Sequence, residues 1–207
     1  MSENLAKRFF TSVILTTGLL IALFSHKYLW LVLLVIASII CLFEFNNLSK
    51  KIWKKNELIK YWINTAVYLY LIFFVYSAFQ IYNLGINFII FIIFICAFSD
   101  IGGYFFGKII GGKKLTKISP NKTISGSIGS FIFSFIPILI FMIFSEFLNY
   151  SKFEIYRSDF PEILLVCLFV SLINQLGDLL ISFFKRKAKI KDTGSILPGH
   201  GGLLDRI

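Results

Sequence analysis

LGINFIIFIIFICAFSDI, residues 84–101, carries a single charge, Asp100, near its far end. A run of about 20 apolar residues is long enough to cross the hydrocarbon core of a bilayer as a helix. Inside hydrocarbon each backbone N–H and C=O must be bonded within the segment, so the helix is the default spanning form. The period-two alternation of a membrane β-strand is absent. Working outward, five more stretches read the same way: about 9–25, 28–46, 61–81, 127–148 and 162–184. The expected fold class is therefore all-α: a polytopic integral membrane protein with about six transmembrane helices and polar cytoplasmic loops. No internal repeat or low-complexity linker interrupts it. The expectation is a single membrane domain over 1–207, with N-terminal hydrophobic spans in 1–83 and the chemistry in 84–207.

Composition agrees. Hydrophobic residues make up 57% of the 207 and charged residues 15%, against about 45–50% and about 25% in soluble domains. The net charge of +10 would suggest nucleic acid in a soluble protein, but here it follows topology. The N-terminus, second connection, fourth connection and tail hold eighteen Lys and Arg, and the alternate connections hold three. The positive-inside rule then puts the N-terminus and the C-terminal motif in the cytoplasm. The excess charge also suits anionic head groups, and no nucleic-acid partner is needed. The first run follows Lys7 and Arg8 like a signal peptide. It is longer than a usual h-region and lacks a small-x-small cleavage site, so it reads as an anchor. Cys41, Cys96 and Cys167 lie far apart inside apolar runs and read as small packing residues.

Polar residues concentrate in two segments. The first is FSDIGGYFFGKIIGGKKLTKISPNKTISGSIGS, residues 98–130. Asp100 at the edge of a span is a functional candidate, since an ionisable group there is costly; the alternative is a cap for the following helix. GGYFFGK at 102–108 approaches a P-loop, but Ile109 stands where the magnesium-binding hydroxyl belongs and no βαβ context exists. Gly103, Gly107 and Gly111 are spaced four apart, which favours close helix packing. Ser119, Asn121, Lys122 and Thr123 surround Pro120 just before the next span, a cluster able to hold phosphate at a helix start.

The second segment is NQLGDLLISFFKRKAKIKDTGSILPGHGGLLDRI, residues 174–207. Asn174 and Asp178 are four apart and share a helix face, with Lys185 two turns further on. A buried carboxylate needs a partner charge or a metal. With Lys185 seven residues away, the spacing favours a divalent cation shared with Asp192, Asp205 or Asp100. Carboxylates without a His or Cys cluster suit a hard ion such as Mg²⁺, which takes one or two carboxylates plus substrate phosphates. His200, in a glycine-rich loop between Lys191-Asp192 and Asp205-Arg206, is a candidate to position or protonate phosphate; the plainer reading is a solvated loop residue.

Ser182-Phe-Phe-Lys-Arg, Lys191-Asp192 and Leu197-Pro-Gly-His-Gly-Gly-Leu-Leu-Asp-Arg-Ile207 together closely resemble the signature of the phosphatidate cytidylyltransferases (CDP-diacylglycerol synthases). Asp100, the Ser119–Thr123 turn and Gly177-Asp178 resemble earlier motifs of that family. The resemblance covers roughly 98–207. It implies transfer of CMP from CTP to phosphatidic acid, giving CDP-diacylglycerol and pyrophosphate for phospholipid biosynthesis, in a bacterial-type inner membrane. It implies Mg²⁺ as cofactor, with room for a second cation, held by Asp178 and Asp205. Lys185 and Asp192 join these as catalytic candidates, Asp192 either as a further ligand or as the group that orients Lys191. Lys185, Arg186, Lys191, His200 and the Ser119–Thr123 turn are the phosphate contacts, and Asp100 joins the substrate site. The implied partners are CTP, phosphatidic acid and the bilayer, and a homodimer is admitted.

Three departures stand out. Ser125 and Ile181 occupy positions where the family carries acids, and the family signature continues past Ile207 with another Asp and a further span. A truncated product or fragment is the expectation from that stop. The competing readings are an inactive truncated homologue, a polyprenyl- or sugar-phosphate transferase, and a transporter with Asp100 and Asp178 on an ion path. A transporter would gather its polar groups near the midplane.

Overall fold

The computed structural model describes residues 3–116, 118–148, 160–199 and 201–206. Helices α1 (Glu3–Ser25), α2 (Lys27–Ile52), α3 (Glu57–Leu84), α4 (Ile86–Ile109), α5 (Ile124–Phe133), α6 (Ile136–Leu148) and α7 (Phe160–Ala188) account for most of it. Among the described residues, six helical stretches are long and apolar enough to cross a membrane: Lys7–Ser25, Lys27–Ile52, Glu57–Leu84, Ile86–Ile109, Ile124–Phe144 and Phe160–Ala188. Their large side chains are widely exposed. Leu58, Trp62, Leu69 and Phe73 on α3 are each more than 60% accessible, an arrangement that suits lipid rather than water as the surrounding solvent. The chain is an all-α polytopic membrane protein.

Two boundaries differ from the sequence expectation. The fifth stretch, 127–148, is two helices. Pro137 lacks the N–H that would continue the ladder, and Phe135 and Ile138 close 3₁₀-type turns onto Ile132 and Phe135. The fourth helix runs nine residues past Asp100, so Asp100 sits within a helix and caps nothing.

The chain divides into two compact units, one of Met1–Ile86 with Phe183–Ile207, the other of Asn87–Ser182. The residues after Ser182 thus belong with α1–α3. In this first unit Leu23, Trp30, Leu34, Cys41, Phe45 and Leu48 are buried, and Trp30 stacks on Tyr82 at 6.5 Å. Side-chain caps start two helices: His26 accepts from the Tyr28 N–H and Asn56 from the Ile59 N–H, each satisfying an orphan first-turn donor. Lys189 at φ 56° ends α7 and turns the tail toward α1 and α2.

In the second unit Phe91, Ile95, Ile138 and Cys167 form the core, and the Ser99 and Ser171 hydroxyls satisfy each other at 2.8 Å inside it. Glycines set how closely α4 and α5 approach. A Cβ on Gly129 would lie 2.7 Å from the Gly102 carbonyl oxygen and 2.6 Å from Phe106 Cβ. Gly103 and Gly107 face α5 in the same way, whereas Gly111 meets nothing within 4 Å and has φ +62°. Its role is therefore the left-handed turn after α4, not packing. Gly129→Ala is expected to destabilise the protein by about 1–3 kcal/mol, because a backbone carbonyl cannot move aside cheaply. A lowered thermal midpoint of the detergent-solubilised protein would register it.

Candidate functional site

The bonded acids among the candidate site residues fall in two clusters, one per unit. In the second unit the Asn174 amide donates to Asp100 Oδ1 at 2.8 Å, and Lys122 Nζ pairs with Asp178 Oδ2 at 2.9 Å. The sequence looked to a metal as the partner of Asp178 because Lys185 is distant. The partner described is Lys122, delivered by a short loop whose backbone pairs on itself. Leu115 N–H donates to the Lys122 carbonyl and Ile124 N–H to that of Lys113. At its tip Ser119-Pro120-Asn121-Lys122 is a β-turn, closed by Lys122 N–H onto the Ser119 carbonyl at 3.1 Å, with Pro120 at the second position that its fixed φ favours. Thr123 then caps α5, its hydroxyl accepting from Gly126 N–H at 3.1 Å. Ser125, which stands where an acid was expected, donates to the Gly111 carbonyl. Ser127 donates to Gln175 Oε1 at 2.5 Å, tying α5 to α7 beside Asn174.

In the first unit Lys185 Nζ pairs with Asp205 Oδ1 at 2.6 Å. Asp205 Oδ2 accepts from Thr193 N–H at 2.8 Å, Thr193 Oγ1 at 3.1 Å and Gly202 N–H at 3.2 Å. Burial alone would raise this carboxyl; the Lys185 ammonium and the Thr193 and Gly202 amides outweigh it and hold Asp205 below its ordinary value. The Leu197-to-Gly201 stretch closes on itself through two backbone bonds, with Gly199 and Gly201 at φ 77° and 89°. Arg186, Lys191 and Asp192 are exposed, Asp192 lying against Gly201. His200 lies outside the described residues.

So the structure brings Asp100, Lys122 and Asp178 into one cluster and Lys185 with Asp205 into the other. Ser119 and Asn121 stand in the turn that carries Lys122, and Thr123 is a helix cap. Three residues were missed from sequence. Glu44, 3% exposed, accepts from Thr193 Oγ1 and from the Leu203 and Leu204 amides. Arg8 Nε donates to the Gly199 carbonyl at 2.8 Å and Thr11 Oγ1 to that of Pro198 at 2.9 Å. A signal for Glu44 existed: it is the one charge in the apolar stretch 28–46, which the cost of a buried acid marks as a candidate.

Each unit of this polytopic helical membrane protein thus carries one carboxylate–lysine pair of the candidate site. The chain belongs to the cytidylyltransferase family, whose model matches residues 54–207. It is similar to the phosphatidate cytidylyltransferase of Staphylococcus saprophyticus, 42% identical over 123 residues, which are 59% of this chain and 44% of that protein. The Staphylococcus haemolyticus protein of the same name matches to the same extent. That of Staphylococcus aureus strain COL is 36% identical over 200 residues, 94% of this chain and 72% of the relative. The match to the first two therefore spans less than half their length.

Proposed function

We propose that this protein is a phosphatidate cytidylyltransferase of phospholipid biosynthesis, acting on CTP and phosphatidic acid. The observation that carries the reading is the 36% identity over 94% of the chain to a relative of that name, in a chain whose helices are suited to lipid. In the reaction a phosphatidate oxygen attacks the α-phosphorus of CTP, the bond to the β-phosphate oxygen breaks, and pyrophosphate leaves. Phosphatidate is already an anion, so the protein need supply no nucleophile. Its task is to bring two anions together, which falls to Lys122, Lys185, Arg186 and Lys191.

Asp178 and Asp205 are each proposed as ligands for Mg²⁺. Hard oxygen donors suit this ion: Asp178 is 57% accessible and bonded at Oδ2 to Lys122, whereas Asp205, already bonded by Lys185, Thr193 and Gly202, would have to release Lys185 to take the ion. Among the described residues no three His, Cys, Asp or Glu side chains converge, which suits an ion that takes other ligands from phosphate. Bound Mg²⁺ would clamp phosphate oxygens and neutralise developing charge. The alternation of basic connections supports an inner-membrane topology with N-terminus and C-terminal motif in the cytoplasm, where CTP is available.

The test is direct. Membranes containing the chain, labelled CTP, phosphatidic acid and Mg²⁺ are expected to form CDP-diacylglycerol, and a chelator is expected to stop it. A well-expressed chain that forms none would overturn the reading.

A further inference from the structure

We propose that Glu44 is a positioning residue that holds the Thr193–Asp205 loop in its working shape; this rests on the function proposed above. Glu44 is buried in an apolar helix, where an unpaired carboxylate is costly. What satisfies it is the loop. Its Oε1 accepts from Leu203 N–H at 3.0 Å, and its Oε2 accepts from Leu204 N–H at 2.9 Å and Thr193 Oγ1 at 3.0 Å. Both ends of the loop are thereby fastened to one side chain of α2.

The consequence reaches Asp205. Leu203 and Leu204 begin the turn closed by Arg206 N–H on the Leu203 carbonyl at 2.9 Å, and Asp205 stands in that turn. Glu44 thus caps the two amides that open it, as an acid does at a helix start. Thr193 Oγ1 lies 3.0 Å from Glu44 Oε2 and 3.1 Å from Asp205 Oδ2, so the two carboxylates share its single hydroxyl proton.

The loop is shaped to admit Glu44. A Cβ on Gly202 would come within 2.4 Å of Glu44 Oε2 and 2.1 Å of Thr193 Oγ1, and a Cβ on Gly194 within 2.6 Å of Glu44 Oε1. Two glycines of the loop, Gly202 of the signature and Gly194 outside it, thus make room for an acid that lies outside the 54–207 family match. Nothing in this geometry has Glu44 touching substrate; it acts through Asp205 and the loop backbone.

The experiment uses the full chain in lipid nanodiscs, with Glu44→Ala, Glu44→Gln and wild type. Amide exchange is followed by peptide, and CMP transfer is split into kcat and KM. Glu44→Ala is expected to speed exchange at 193–206 by about ten-fold or more, as unsatisfied buried donors would, while α1–α3 keep wild-type rates. Its kcat should fall while KM for CTP holds, because misplacement costs rate rather than uniform binding. Glu44→Gln keeps an acceptor oxygen and should recover part of both. Unchanged exchange at Leu203–Leu204, unchanged kcat, or faster exchange throughout α1–α3 would each overturn the proposal. If wild type forms no product, the function reading fails, and the exchange measurement alone decides whether Glu44 holds the loop.

Discussion

Asp178→Asn is expected to cut CMP transfer by about 10²–10³-fold, the usual cost of removing one preorganised electrostatic group, while leaving the protein inserted and folded. The second half of that expectation comes from exposure. The Asp178 side chain is 57% accessible and its pair with Lys122 is open to solvent, and such pairs contribute about 0–1 kcal/mol to stability. Asn has nearly the same volume and still accepts a bond from Lys122, so α7 and the 113–124 loop should keep their shape. What disappears is the negative charge, which a cation needs and which Lys122 offsets when no ion is bound. The measurement is initial rate at matched protein level, with the thermal midpoint of the same preparation beside it. An unchanged rate would remove Asp178 from metal binding; a lost midpoint would show that the Lys122 pair is structural.

The spans were legible because lipid rewards long apolar runs, and a run such as 28–46 can be read without any partner. Helix ends were less so. Asp100 ends the apolar pattern but not the helix, since Gly102, Gly103 and Gly107 continue α4 against Thr123–Phe133, a later segment that the local pattern does not see. Asp178 shows the same limit. Its place on α7 follows from spacing, but its partner arrives from a loop 56 residues earlier. Lys185 and Asp205 stand in one stretch, 174–207, twenty residues apart, and their bond to each other depends on how the tail folds back, which spacing alone does not give. Glu44 was passed over because a hydropathy reading averages one acid into a mostly apolar stretch, whereas its energetics depend on three donors from the opposite end of the chain.

The tail should come loose in acid, and Asp205 sets where. Its carboxyl is held below its ordinary value near 3.8, so the folded loop binds this proton less well than the freed loop does. The stabilisation is then complete above that ordinary value and is lost as pH falls through the lower, folded one. A spin label at Ser195→Cys reports loop mobility in a Cys96→Ser background, since Cys96 is partly exposed while Cys41 and Cys167 are buried. Mobility is expected to stay flat from about pH 7 to about pH 5 and to rise only below about pH 4, under the unperturbed carboxylate range. Asp205→Asn removes the titrating group. It also leaves Lys185 facing a neutral amide, and breaking a buried pair at one partner costs about 3–5 kcal/mol, nearer the lower figure where one side chain keeps some water. Lys185 is 23% accessible and Asp205 5%, which is that situation. The variant should therefore be mobile already at neutral pH and show no further step in acid. An acid step of full size that survives in Asp205→Asn would show that the Asp205 carboxyl does not set where the loop is released.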